Sequence, residues 1–119
     1  MNKWAASALL SFTIWLTCFD ALAHELAVSE CKEGSDFIKN AALSRDNGMT
    51  KQQFIDRLRH DMEAIRAFPP ALRWFMQDAD DEQFLLRAAE DVFDNPRPPD
   101  THRREFYEIC LAQGDSREL

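Results

Sequence analysis

The chain has 119 residues, with 21 acidic and 14 basic side chains and a net charge of −7 at pH 7. This length suits one small domain, and the acidic excess argues against a nucleic-acid-binding protein, because phosphate backbones would be repelled. A basic partner protein would be attracted, although acidity also serves simply to keep a small exported protein in solution.

The N-terminal segment has the pattern of a secretory signal peptide. Lys3 provides a positive charge, residues 5–19 are apolar apart from Ser and Thr, and Ala21-Leu22-Ala23 matches the small-x-small sequence that signal peptidase cleaves. An apolar run of about 15 residues is shorter than the roughly 20 that cross a bilayer, so we expect no stable membrane anchor. We predict cleavage near Ala23, a domain over residues 24–119, and a periplasmic or secreted location.

Two cysteines remain after this cleavage, because Cys18 lies in the predicted signal peptide. An even number of cysteines in an oxidising compartment predicts a disulfide, here between Cys31 and Cys110. Closing a loop of about 80 residues stabilises a fold by up to roughly 4.5 kcal/mol through chain entropy. A reactive or metal-binding thiol pair is the alternative, and the lack of a CxxC motif argues against it.

Apolar residues recur at helical spacing along the rest of the chain, and no segment alternates with period two. Ser29 is predicted to cap a first helix, which Asn47-Gly48 ends. Thr50 and Gln53 then form a capping box for a second helix, which ends at Pro69-Pro70.

Three further helices are predicted in the second half of the chain. A short one spans 70–77, and Asp80 with Gln83 provides the capping signal for the next. A proline-rich connector over 95–99 precedes the last helix, which is capped at Asp100 or Thr101 and closed by Gly114. The sequence therefore predicts an all-α, antiparallel, bundle-like domain of four to five helices, with the first and last tied by the disulfide.

Two sets of side chains suggest metal binding. Asp56, His60 and Glu63 share one face of the second helix, at spacings that suit a metal ion but also occur on any solvated helix face. His24 becomes the N-terminus after cleavage and would chelate copper through its amine and imidazole, with His60 or His102 to complete the site. The alternative for His24 is an accidental first residue on a mobile tail.

Catalytic motifs are missing from the sequence. There is no GxSxG motif and there are only three glycines, too few for a phosphate-binding loop. An acidic run suggests calcium, but the EF-hand positions for Gly and Glu hold Gln83 and Ala89, and acidic residues are favoured at any helix N-terminus. That run comprises Asp78, Asp80, Asp81 and Glu82. We predict a protein that is not an enzyme and needs no cofactor.

The most suggestive stretch is apolar, with Arg73 as the only charged residue over 68–76. One helix stripe cannot bury all of its side chains, so either the stretch is packed on several sides or part of it is exposed to a partner or a second copy. In the second case Trp74 and Phe75 would be the apolar contacts and the acidic run a charged rim.

The chain combines an early Cys31, the Ala41-Ala42 pair before Arg45-Asp46-Asn47-Gly48, the 95–99 connector, and a terminal Phe106-Tyr107-Glu108-Ile109-Cys110. This layout resembles a loose group of short, exported proteobacterial proteins with a helical, two-cysteine frame. The resemblance spans nearly the whole mature chain, implies a periplasmic or secreted helical domain, and carries over no catalytic residue. More distantly, the size and frame resemble acid-stress periplasmic chaperones and immunity proteins of interbacterial toxins.

We therefore predict a non-enzymatic protein-binding module of the bacterial envelope, inhibitor-like or immunity-like. The sequence names no partner and leaves a homodimer open. The first alternative is an acid- or envelope-stress chaperone, since protonating the carboxylates of so acidic a domain would loosen it. The second alternative is copper binding through His24.

Overall fold

The computed structural model describes the backbone of residues 16–73 and 76–117 and the side chains of 28–73 and 76–113. Its helices are α1 (Leu16–Asp46), α2 (Lys51–Ile65), α3 (Ala79–Asp94) and α4 (Pro99–Arg117), with one 3₁₀ turn at Pro70–Leu72. The described residues contain no strand, which confirms the predicted all-α fold class.

The helices form two antiparallel pairs, α1 with α4 and α2 with α3. In the first pair, a disulfide joins Cys31 of α1 to Cys110 of α4, with 5.6 Å between the Cα atoms, as predicted. Further along α1, Lys39 Nζ lies 3.0 Å from Asp100 Oδ1 at the other end of α4. In the second pair, ion pairs connect the two ends of α2 to opposite ends of α3. Helix α3 also packs against α1 and so joins both pairs.

The core lies where the four helices meet. Helix α1 contributes the fully buried Ala41 and Ala42, whose small side chains let α3 and α4 approach closely. The other buried apolar residues come from every helix and from the segment before α3: Cys31, Ile38, Ile55, Leu58, Met62, Met76, Leu85, Leu86, Ala89, Val92, Phe106 and Cys110. Most of them recur at helical spacing in the sequence, although Ile109 on α4, which has the same spacing, is 52% exposed.

Two predicted helix ends are confirmed. Helix α1 stops at Asp46, and Gly48 adopts φ +98°, a left-handed conformation that glycine adopts without strain. The amide of Met49 donates to the Ser44 carbonyl and that of Gly48 to the Arg45 carbonyl, both at 3.0 Å. Thr50 then caps α2, with both hydrogen bonds of the predicted capping box formed.

Other predicted helix ends are wrong. Ser29 lies inside α1, which begins at Leu16, because the Leu- and Ala-rich residues before Ser29 include no Gly or Pro that would stop a helix. Asp78, rather than Asp80, caps α3 by accepting from the Asp81 amide. Among several neighbouring aspartates, the sequence does not distinguish which one adopts the extended cap conformation.

The last helix and the short helix also differ from prediction. Helix α4 begins at Pro99, since proline suits a first helical turn, and it continues through Gly114, which weakens a helix without ending it. The described part of the predicted 70–77 helix is only the 3₁₀ turn. Residues 1–15 lie outside the described residues, so the signal peptide stays a prediction. No described helix is both long and apolar enough to cross a membrane.

Candidate functional site

A loop after α2 exposes large apolar side chains. Phe68 is 55% exposed and Leu72 is 69% exposed, and the Pro69, Pro70 and Ala71 between them are exposed as well. We call residues 67–72 the apolar loop. Exposed apolar groups that adjoin one another, bordered by polar residues, are typical of a surface that another molecule covers.

The apolar loop is held in one conformation by its own backbone. The two prolines have restricted φ angles, and the 3₁₀ turn is closed by hydrogen bonds from the Leu72 and Arg73 amides to the carbonyls of Pro69 and Pro70. The Arg73 guanidinium then donates from Nε to the Phe68 carbonyl at 2.6 Å and from Nη2 to the Arg66 carbonyl at 3.1 Å. One cationic side chain therefore fixes both ends of the loop.

The segments that flank the apolar loop are attached to the helices. Arg66 donates from Nε and Nη2 to the two carboxylate oxygens of Glu82 on α3, at 2.8 and 2.6 Å. On the other side, Met76 is buried, and the side-chain amide of Gln77 donates from Nε2 to Glu30 Oε1 on α1 at 2.7 Å. Because Phe68 and Leu72 lie between fixed points, little conformational entropy remains to be lost when a partner covers them.

The predicted acidic rim lies beside this loop, but most of its carboxylates act within the fold. Asp78 caps α3. Asp81 is buried, and its carboxylate accepts from the backbone amide of Gln77 at 3.3 Å. The hydrogen bond from Arg66 outweighs burial and holds the pKa of Glu82 below its ordinary value. Asp80 is exposed, but at roughly 100° per residue its side chain leaves α3 about 160° away from that of Glu82, which contacts Arg66.

The predicted apolar contacts Trp74 and Phe75 lie outside the described residues. Phe68 and Leu72 belong to the same apolar stretch, but sequence analysis did not single them out as contacts. Their exposure depends on how the loop leaves α2, and spacing along the chain does not encode that direction.

Of the two predicted metal-binding sets, the structure describes the side chains of the one on α2. Asp56, His60 and Glu63 are all exposed on α2, and within 16–73 and 76–117 no three His, Cys, Asp or Glu side chains are arranged to hold a metal ion. The side chain of His24 is outside the described part of the chain. His102 is buried, and its ring nitrogens face two arginines.

Sequence analysis missed a polar cluster around this histidine. It comprises Arg45 at the end of α1, Asp91 on α3, Arg97 in the connector, and His102 and Glu105 on α4, and we call it the His102 cluster. The Arg97 backbone amide donates to His102 Nε2 at 2.9 Å. Arg97 Nη2 lies 2.6 Å from Asp91 Oδ2 and 2.9 Å from Glu105 Oε2.

The ionisation of the cluster follows from its burial and charges. Burial, then the positive charges of Arg97 and Arg45, lower the pKa of His102, and the negative charges of Asp91 and Glu105 offset this only in part. Burial disfavours the charged form of Asp91, but hydrogen bonds from Arg97 and Asn95 together outweigh it and lower the Asp91 pKa. At neutral pH the cluster therefore holds an ionised Asp91 and a neutral imidazole.

A groove of about 460 Å³ adjoins the His102 cluster between α3 and α4. Its apolar wall includes Phe84 and Phe106, whose ring centroids are 5.0 Å apart. Asp80 and Arg87 lie at its rim, and its lining residues include no Ser, Thr or Cys that would act as a nucleophile. The chain matches no protein-family model, no curated protein and no solved structure.

Proposed function

We propose that this chain is an exported, non-enzymatic protein-binding module that presents the apolar loop to its partner. The observation that supports this function is the exposure of Phe68 and Leu72 in a loop fixed by Arg73. Buried aromatic and aliphatic contacts at the centre of an interface commonly supply most of its binding energy. A loop already ordered in the free protein loses less entropy on binding. This favours a binding role over an exposed apolar patch that has no partner.

The overall charge supports a basic partner. A net charge of −7 attracts basic surfaces over long range and speeds their encounter. An ordered apolar contact surface together with this charge suits an inhibitor-like or immunity-like role.

The location we propose is the periplasm or the medium, after cleavage near Ala23. The Cys31–Cys110 disulfide supports it, because such bonds persist in oxidising compartments. The signal-peptide pattern of the sequence is the second support.

Site-specific photocrosslinking in the native host tests the proposed surface. A photoreactive residue replaces Leu72 in one strain and Leu43, which is 41% exposed on α1, in the control strain. We expect a discrete crosslinked protein from position 72 and not from position 43. Identical crosslinks from both positions, or none from position 72, would contradict the assignment.

The crosslinked protein is then purified and its affinity measured by titration. Replacing both exposed side chains, as Phe68→Ser with Leu72→Ser, should weaken binding by roughly tenfold to a hundredfold, the size typical for interface contacts of this kind. Leu43→Ser is the matched control and should leave the Kd unchanged. Equal affinities for the double variant and the control would refute the role of the loop.

An acid-stress chaperone is the second candidate, supported by three carboxylates that link different segments. Glu82 pairs with Arg66, Asp91 with Arg97, and Asp100 with Lys39. Each of these pairs lowers the pKa of its carboxyl group, so its stabilisation is complete above the ordinary pKa and is lost as pH falls through the lowered one. Strong acid therefore loosens contacts between helices.

This candidate requires two effects to coincide. Near-ultraviolet circular dichroism should report loss of tertiary packing at about pH 2–3, and the same sample should suppress aggregation of an acid-labile client protein. A domain that stays packed and inert at that pH would rule the chaperone out.

A further inference from the structure

The His102 cluster joins the end of α1, the end of α3 and the connector that leads into α4. Arg45 at the end of α1 donates from Nη1 to the Val92 carbonyl in the last turn of α3, at 2.7 Å. Its Nη2 donates to the Arg97 carbonyl in the connector, at 2.9 Å. The connector continues into α4, whose first amides at Thr101 and His102 bond to the Pro98 carbonyl.

Among the described residues, each polar group that contacts a nitrogen of the His102 ring is a hydrogen-bond donor. Nε2 faces the Arg97 backbone amide at 2.9 Å and Arg45 Nη1 at 3.3 Å. Nδ1 faces Arg97 Nη2 at 3.3 Å. The short, directed amide bond requires a lone pair on Nε2, so in the neutral ring the proton lies on Nδ1.

A protonated ring does not fit this arrangement. An imidazolium carries N–H groups on both nitrogens, so it cannot accept the Arg97 amide, and it would add a positive charge beside two guanidinium groups. The carboxylates that face it, Asp91 from α3 and Glu105 from its own helix, are already bonded to Arg97. At 3% exposure, the residue is also too buried for water to replace these partners.

We propose that His102 is an acid-sensitive latch, which holds the connector and the first turn of α4 against α1 when neutral and releases them when protonated. Protonation removes the acceptor of the Arg97 amide, and the release that follows separates Arg45 from the connector. Because Arg97, His102 and Glu105 line one end of the α3–α4 groove, the released form opens that end towards Phe106. This inference does not depend on the function proposed for the apolar loop.

The pH range of the latch differs from that of the three carboxylates. A histidine with a lowered folded-state pKa contributes stability that is complete above its ordinary pKa of about 6.5 and is lost as pH falls from there to the folded value. The carboxyl groups act only at lower pH, since their own pKa values are below the ordinary range. The acid response is therefore expected to begin with an upper transition through His102, before the carboxyl groups contribute.

NMR of the full chain tests the latch on the unaltered protein. Imidazole ¹⁵N shifts should identify Nε2 as unprotonated at about pH 7.5, and the ring should titrate below the ordinary histidine value. Hydrogen exchange at the Arg97 amide, corrected for the intrinsic exchange rate, gives the equilibrium constant for local opening. This constant should rise by about tenfold for each unit that pH falls between the ordinary and the folded-state pKa of His102. A ring that titrates at or above the ordinary value, or an Arg97 amide whose opening does not change, would overturn the proposal.

Two substitutions separate the latch from the other histidines. His102→Gln keeps an acceptor oxygen near the Nε2 position but cannot be protonated, so the upper acid transition should disappear. His60→Gln removes an exposed histidine on α2 and should leave that transition intact. Survival of the transition in a folded His102→Gln protein would refute the latch, and if that variant does not fold, the ring titration of the unaltered protein decides.

Discussion

Replacing Arg45 with Met should destabilise the domain more than replacing any exposed side chain of α1. The Arg45 side chain is only 15% exposed, and it donates to the Val92 and Arg97 carbonyls at 2.7 and 2.9 Å. Hydrogen bonds from a charged donor contribute about 1.5–3 kcal/mol each. Since Met retains the packing of the stem and the helix propensity, we expect a loss of about 3–5 kcal/mol from the two unpaired carbonyls.

Urea unfolding at about pH 7.5, followed by circular dichroism, measures this loss, with an unchanged m-value as the check on two-state behaviour. Arg59→Met on the exposed face of α2 is the matched control and should stay within about 0.5 kcal/mol of the unaltered protein. At about pH 5 the cost of Arg45→Met should shrink, because the variant also removes a positive charge beside His102. A cost below about 1 kcal/mol, or one equal to that of Arg59→Met, would refute the role assigned to Arg45.

Reduction of the disulfide and two further substitutions test the stability of the fold. Reducing the Cys31–Cys110 disulfide, which spans 79 residues, should lower the free energy of unfolding by up to about 4.5 kcal/mol, seen as a lower Tm in thiol reductant. Gly48→Ala should cost about 1 kcal/mol in urea unfolding although nothing lies within 4 Å of the added methyl group, because φ is +98°. Glu82→Gln should destabilise the domain above the ordinary Glu pKa and match the unaltered protein once pH has fallen below the lowered one, in a pH series of melts.

The sequence predicts those parts of the fold that depend on neighbouring residues. The capping box at Thr50, the stop at Asn47-Gly48 and the apolar stripes are local patterns, and only one disulfide pairing was possible once Cys18 was assigned to the predicted signal peptide. The all-α class follows from the same patterns, because each helix must bury one stripe against another.

The sequence does not predict contacts that depend on how the helices assemble. Arg45 and His102 are 57 residues apart, and they meet only because α1 packs antiparallel to α4 while the connector crosses the end of α3. The exposure of Phe68 and Leu72 has the same origin, since their spacing suits a buried stripe equally well. Asp78 and Asp80 are both good caps, and the path of the preceding segment selects Asp78.

The apolar loop and the His102 cluster lie at opposite ends of α3, so binding at one should not depend on protonation at the other. The loop is attached near Glu82 and Asp78, whereas the cluster begins at Asp91, about 14 Å from Glu82 and about 20 Å from Asp78 along the helix at 1.5 Å per residue. At physiological ionic strength this exceeds the Debye length of about 8 Å, so the charge of His102 is screened from the loop.

We therefore expect the Kd for the loop's partner to change equally with pH, between about 7.5 and 5, in the unaltered protein and in His102→Gln. Isothermal titration calorimetry of both proteins measures this difference directly. A pH dependence that His102→Gln abolishes would show that α3 transmits the state of the latch to the loop. In that case the two surfaces form one acid-regulated binding site, because a coupling of binding free energies is reciprocal.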